Sequence, residues 1–165
     1  MEMPWEEKAG TILWSYYAGM ESGTALAGIL TGRINPSGKL AETFPRVYED
    51  TPTGHNGQFG RDDMVCYEEE IMVGYRHYEK NDILPMFCFG HGLSYTEFAY
   101  HDLQVKQDND AKDRVSISFD IENVGQIDGR EIVQIYVRDE ECTVIRPEKE
   151  LKAFKSITLK AGSVC

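Results

Sequence analysis

Residues 73–98 read VGYRHYEKNDILPMFCFGHGLSYTEF, from Val73 to Phe98. The stretch opens on an aromatic and basic run, Gly74-Tyr75-Arg76-His77-Tyr78, and then passes through an apolar segment. It ends in Phe89-Gly90-His91-Gly92-Leu93-Ser94-Tyr95-Thr96-Glu97-Phe98. Two glycines bracket His91 beside packed aromatics, so the backbone is expected to turn where the side chains are large, which glycine permits without steric strain. The periodicity of the chain differs on the two sides of this stretch.

Upstream, the pattern is that of a strand, a helix, a turn and a strand. Thr11 to Trp14 (TILW) is a short apolar run that reads as a buried strand. Glu21 to Thr31 then has helical spacing, with Ala25, Leu26, Ile29 and Leu30 recurring one turn apart. Glu21 and Ser22 suit the electropositive start of that helix, and Gly32 stands where a stop belongs. Asn35-Pro36-Ser37-Gly38 is a turn signal. Lys39 to Phe44 reads as a second strand, ended by Pro45. One such βαβ unit implies a mostly parallel sheet, and one unit cannot bury both faces of it. Pro45 to Met64 reads as an extended loop, followed by short strands around Val65-Cys66-Tyr67 and Ile71-Met72-Val73.

Downstream the period becomes two. Val115, Ile117, Phe119 and Ile121 alternate with Ser116, Ser118, Asp120 and Glu122, the pattern of a half-buried antiparallel strand. Glu131 to Arg138 reads as the next strand, buried on both faces. Tyr100 to Lys106 and Leu151 to Leu159 are two more. Strands separated by turn signals suggest a β-sandwich, but four are too few to close one, which takes about seven. Both ends of the chain are therefore expected to be cut.

Composition narrows the function classes. A formal net charge of -11 over 165 residues excludes a nucleic-acid partner, because phosphate binding needs a basic surface. No apolar run approaches the ~20 residues needed to cross a bilayer. No signal peptide is visible, although in a chain beginning midway through a longer gene that says nothing of export. Cys66, Cys88, Cys142 and Cys165 are scattered without a C-x-x-C pair, so no metal centre is expected, and a reducing, cytoplasmic compartment is favoured over an oxidising one.

Separated blocks together resemble glycoside hydrolase family 3, the β-glucosidase-like enzymes. Ile12-Leu13-Trp14 with Ala18-Gly19-Met20-Glu21-Ser22-Gly23 is similar to one family segment. Gly32 to Leu40 with Thr43-Phe44-Pro45 is similar to the family's G-x-x-N-P-S-G-K-L-P-x-T-F-P segment. Tyr67 to Arg76 and Phe89 to Thr96 match the next two. Asn123-Val124-Gly125, Gly129 to Val137 and Arg146 to Phe154 look like its fibronectin type III-like domain. The order and spacing hold over nearly the whole chain. Ala41 stands where the family usually has proline, and Met20 where it has glutamine.

The resemblance implies the end of an α/β sandwich domain with its linker over residues 1–97, followed over 98–165 by the first part of a fibronectin type III-like sandwich. It implies a retaining β-glycosidase acting on a β-linked glucoside or oligosaccharide, without a cofactor. Such chemistry needs two carboxylates about 5–5.5 Å apart, a nucleophile and an acid/base. The family's nucleophilic Asp lies in an N-terminal barrel and its acid/base Glu in an upstream loop, so no residue here inherits either role. This chain would supply scaffold and be inactive alone. A stand-alone sugar- or protein-binding module and the C-terminal subunit of a split glycosidase are the rival readings.

Local candidates are weighed against plainer roles. Tyr17, in a loop, reads equally as a sugar platform or as a surface residue, and Trp14 reads as core. Glu21 reads as a substrate contact or as a carboxylate favoured by the helix dipole. Arg76, beside Tyr75 and Tyr78, reads as a structural ion pair or cation–π contact at the domain junction. His91 reads as ordering the interdomain loop by hydrogen bonding. Glu68-Glu69-Glu70 and Asp62-Asp63 read as solvated acidic stretches, because neighbours on an extended strand point to opposite faces.

Overall fold

The computed structural model describes residues 1–57, 60, 66–107 and 114–165. Its helices are α1 (Ser22–Leu30), α2 (Pro52–His55) and α3 (Tyr75–Lys80). Its strands are β1 (Phe98–Gln107), β2 (Val115–Asn123), β3 (Gly129–Val137) and β4 (Glu150–Leu159). Single 3-10 turns occupy Glu6–Lys8 and Tyr48–Asp50. The chain divides into two compact units. One comprises Met1–Tyr16, Lys39–Gly92 and Gln134–Lys155; the other comprises Tyr17–Gly38, Leu93–Val133 and Ser156–Cys165.

In the second unit the period-two pattern forms the expected strand. β2 pairs antiparallel with β1 from Phe98↔Asn123 to Gln107↔Val115, with an irregularity between His101 and Gln104. Asp102 within it has φ 52, the backbone signature of a bulge. Ile121, Val133 and Leu159 form the buried core, with Phe98, Phe119 and Ile157 packed against it. The far side of β2 is closed by the chain's last residues. Ile121 and Cys165 exchange both backbone bonds, at 2.9 and 3.0 Å, and Asn123 donates to Ser163 at 3.0 Å.

β3 and β4 form a separate two-stranded sheet. β3 departs from the expectation of burial on both faces. Val133 is buried, Ile132, Ile135 and Tyr136 are half-buried, and Val137 is exposed. A two-stranded sheet cannot cover both faces of its strands.

α1 forms where its spacing predicts, and Gly32 at φ +74 ends it. Its apolar residues are less covered than the pattern suggests: Gly28 is buried, Leu26 and Ile29 half-buried, Leu30 exposed.

The first unit differs most from expectation. Thr11 to Trp14 forms no strand and Leu13 is exposed, because no neighbouring segment among the described residues ladders with it. Lys39 to Phe44 contributes an isolated bridge, Phe44↔Phe87. Backbone bonds join Leu40 to Gly90 and His91 at 2.8 Å, but between those points side chains intervene. The Ala41 N–H goes to the Tyr16 hydroxyl and the Phe89 N–H to Thr43 Oγ1, so no continuous ladder forms. Part of the expected 45–64 loop holds the 3-10 turn and α2, the latter capped by Thr51, whose hydroxyl accepts from Gly54 at 3.0 Å. Of the expected strand at Val65-Cys66-Tyr67, Val65 lies outside the described residues, and Cys66 and Tyr67 are not in a strand. Residues 68–71 form a turn, with Met72 donating to Glu69 at 2.8 Å, rather than leading into a strand at Ile71.

Candidate functional site

α3 organises the first unit, although the aromatic–basic run that makes it had no helical signal. Gly74 at φ 56 reverses the chain before it. His77 and Tyr78 then face inward and are buried, while Tyr75 and Arg76 face a groove of about 470 Å³. Tyr75 stacks on Phe89 at 5.2 Å and meets Tyr136 edge-on at 5.7 Å. Its hydroxyl accepts the Leu151 N–H at 2.9 Å. Arg76 pairs with Glu150 at 3.2 Å, donates to the Ile71 carbonyl at 3.5 Å and lies over the Tyr75 ring at 5.9 Å. The Glu150 carboxyl is held below its ordinary range, first by the hydrogen bond from Lys152, then by the charges of Lys152, Arg76 and Arg146.

His91 lies in the same unit. Its ring stacks on Phe87 at 5.3 Å, while its carbonyl accepts the Leu40 N–H and its own N–H goes to Cys88. The hydrogen bonds that tie this loop are therefore made by its backbone. Gly90, at φ +80, is where the chain turns against Gln134, which donates to its carbonyl at 3.4 Å.

A second groove, of about 570 Å³, runs beside Tyr78, Asp82, Tyr136 and Glu148. Lys149 crosses it, 2.6 Å from Glu79 Oε1 and 5.4 Å over the Tyr136 ring, and Arg138 pairs with Glu148 at 3.5 Å. Sequence reasoning did not foresee this cluster, because Glu79 and Lys149 are 70 positions apart. Glu79 and Glu148 are each paired with a cation, which suits cohesion rather than proton transfer.

The substrate candidates Tyr17 and Glu21 lie in the second unit. Tyr17 and Met20 are fully exposed, and Glu21 precedes α1 without making a capping hydrogen bond from its side chain. Glu21 is the one acidic residue in Tyr17–Gly38, so this segment holds no carboxylate pair. Trp14 belongs to the other unit, half-buried and edge-on to Phe44 at 5.3 Å. Glu68, Glu69 and Glu70 sit on the turn at 68–71 rather than on an extended strand, and Asp62-Asp63 lies outside the described residues. The four cysteines are exposed and unpaired. Among the described residues no three His, Cys, Asp or Glu side chains are grouped to hold a metal ion.

Two family models match the sequence. The glycosyl hydrolase family 3 C-terminal domain matches residues 1–95, and the fibronectin type III-like domain matches residues 131–164. Thermostable beta-glucosidase B of Acetivibrio thermocellus is 48% identical over 163 residues, spanning 98% of this chain and 22% of its own length. Probable beta-glucosidase K of Emericella nidulans is 44% identical over 168 residues, spanning 99% of this chain and 19% of its own. Among solved structures, beta-glucosidase 3B of Thermotoga neapolitana in complex with alpha-D-glucose superposes with a TM-score of 0.90 at 41% identity, over 99% of this chain and 23% of that one. The GH3 beta-glucosidase of Bifidobacterium adolescentis gives 0.92 at 37% identity, over 98% and 24%. The chain thus spans about a fifth of the length of the curated relatives it matches.

Proposed function

The chain belongs to glycoside hydrolase family 3, and from that premise we propose that it is the C-terminal, scaffolding part of a retaining β-glucosidase that cleaves terminal β-linked glucosides. One observation carries the reading: almost every residue aligns with proteins named β-glucosidases, yet the alignment uses about a fifth of each. A retaining mechanism requires two carboxylates about 5–5.5 Å apart across the sugar, one free to attack and one to exchange a proton. Glu79, Glu148 and Glu150 are each engaged by a lysine or arginine, and Glu21 has no acidic neighbour in its segment. The family pattern assigns the nucleophile and the acid/base to the longer polypeptide, upstream of the segments matched here.

In this reading residues 1–97 complete an α/β sandwich domain and 98–165 begin the fibronectin-like one, a division that the two matched ranges, 1–95 and 131–164, support. Tyr17 and Glu21 are assigned to the substrate rim because they are exposed beside a helix start. Arg76 and His91 are assigned structural roles because their contacts are an ion pair, a cation–π contact and a ring stack. The test is hydrolysis of an aryl β-glucoside. The purified chain is expected to give no turnover, and the polypeptide that carries the barrel to give turnover. Activity of the chain alone, abolished by changing one of its own carboxylates, would overturn the proposal.

A further inference from the structure

His77 is 3% exposed, on α3, and each of its ring nitrogens has one partner. Nε2 lies 3.1 Å from the carbonyl oxygen of Asp50, in the 3-10 turn before α2. A carbonyl can only accept, so Nε2 carries the proton. Nδ1 lies 3.3 Å from the Asn81 amide, whose Nδ2 also donates to the His77 carbonyl at 2.9 Å. That second bond fixes which end of the amide faces the ring, so Nδ1 is an acceptor. Only the neutral Nε2–H imidazole satisfies both partners.

A second proton on the ring would point an N–H at the N–H of Asn81. Turning the amide over does not repair this, because Asn81 Oδ1 would then face the His77 carbonyl oxygen. The ionisable groups around the ring are Asp50, His55 on α2, with ring centroids 5.4 Å apart, Glu69 on the 68–71 turn, and the neighbouring Tyr78. The Asp50 carboxylate is turned to the N–H groups of Arg46 and Val47, both at 3.2 Å. Burial pushes the imidazole below its ordinary value of 6.5, and the charge of His55 acts in the same direction. The Asp50 carbonyl bond and the carboxylates of Glu69 and Asp50 oppose it.

We propose that His77 is an acid-released pin, fastening the segment of the 3-10 turn and α2 to α3 while it is neutral and freeing that segment when it is protonated. Besides His77, the Tyr48 N–H of the segment donates to the Glu2 carboxylate, but α2 is four residues long, far below the length at which a helix persists alone. Thr51 and Pro52 form one wall of the groove that Tyr75 and Arg76 face, so release opens that groove. The sign follows from proton uptake. The released ring titrates near 6.5 and the pinned ring lower, so the released state binds more protons and gains as pH falls through that window. The device is independent of the glycosidase reading, since it needs neither substrate nor barrel.

Hydrogen exchange at the amides of His55, Asn56 and Gly57, which close α2 and its end, reads the release directly. Corrected for intrinsic exchange, the opening constant is expected to rise up to about tenfold one pH unit below 6.5. His77→Gln keeps an N–H for the Asp50 carbonyl but does not titrate, and is expected to abolish the rise. Asn81→Asp offers the protonated ring an acceptor, so the pinned ring holds its proton more readily and the rise is expected to shrink or reverse. A flat response between pH 7.5 and 5, or the wild-type rise in His77→Gln, overturns the proposal. Should His77→Gln not fold, an undiminished rise in Asn81→Asp overturns it equally.

Discussion

The hydroxyl of Thr96 donates to Oδ1 of Asn123 across 2.6 Å, and both residues are buried. Asn123 is wholly enclosed and uses every polar atom it has. Its Nδ2 donates to the carbonyls of Ile127 and Leu159, at 2.9 and 3.3 Å, and Oδ1 also accepts the Gly125 N–H at 3.2 Å. One side chain thus ties the strand entry at Thr96, the turn after β2 and the end of β4. Removing it leaves buried donors and acceptors without partners, the costly case for a hydrogen bond. Asn123→Ala is expected to cost about 3 kcal/mol and Thr96→Val about 1 kcal/mol. Urea unfolding with an unchanged slope checks both, and a cost for Asn123→Ala below that of Thr96→Val contradicts the argument.

Tyr75 separates packing from hydrogen bonding within one residue. Tyr75→Phe keeps the stack on Phe89 but strands the Leu151 N–H, for a loss of about 1 kcal/mol. Tyr75→Ala removes the ring from between Phe89 and Tyr136 as well, for about 3–5 kcal/mol. Thermal melts of the two variants are expected to rank in that order.

Gly90 offers a test of the turn beside His91. A Cβ there would have to occupy a left-handed backbone at φ +80 and would meet Gln134 Nε2 at 2.6 Å. The backbone part alone costs about 1–2 kcal/mol. Gly90→Ala is expected to lower the melting temperature, and the double variant with Gln134→Ala to recover the steric part while keeping the backbone part. Full recovery would show that the backbone there is not strained.

Alkaline pH should weaken the first unit through Tyr78. Burial first, and the Asp50 charge second, push its phenol up to about 12, against an ordinary 10. The folded form therefore keeps its proton where the unfolded form has lost it, so stability falls as pH rises from 10 towards 12. Absorbance titration of the phenolates follows this, and Tyr78→Phe is expected to flatten stability over that range.

Tyr17 distinguishes a substrate contact from packing. Its ring is fully exposed, so Tyr17→Ala is expected to leave stability within about 0.5 kcal/mol. In the polypeptide that carries the barrel, the same change is expected to raise KM for an aryl β-glucoside severalfold with the melting point unmoved. An unchanged KM removes Tyr17 from the substrate rim.

What could be read from the residues alone was what depends on neighbours along the chain. Alternation from Val115 to Ile121 specified β2, because side-chain direction in a strand reverses at each residue. One-turn spacing and a glycine stop specified α1. The ordered blocks from Ile12 to Phe154 specified the family.

What only the tertiary structure decided was what depends on partners distant in sequence. Thr11 to Trp14 looks like a strand and is not one, because a strand needs a neighbour to bond with. Tyr75 to Lys80 looks unlike a helix and is one, with its inner face set by Asp50 and its outer face by Phe89, Tyr136 and Glu150. The tautomer of His77, the closure of β2 by Cys165 and the pairing of Glu79 with Lys149 are equally invisible to periodicity. Period and turn chemistry are local, whereas burial and hydrogen-bond partnership arise only when remote segments meet.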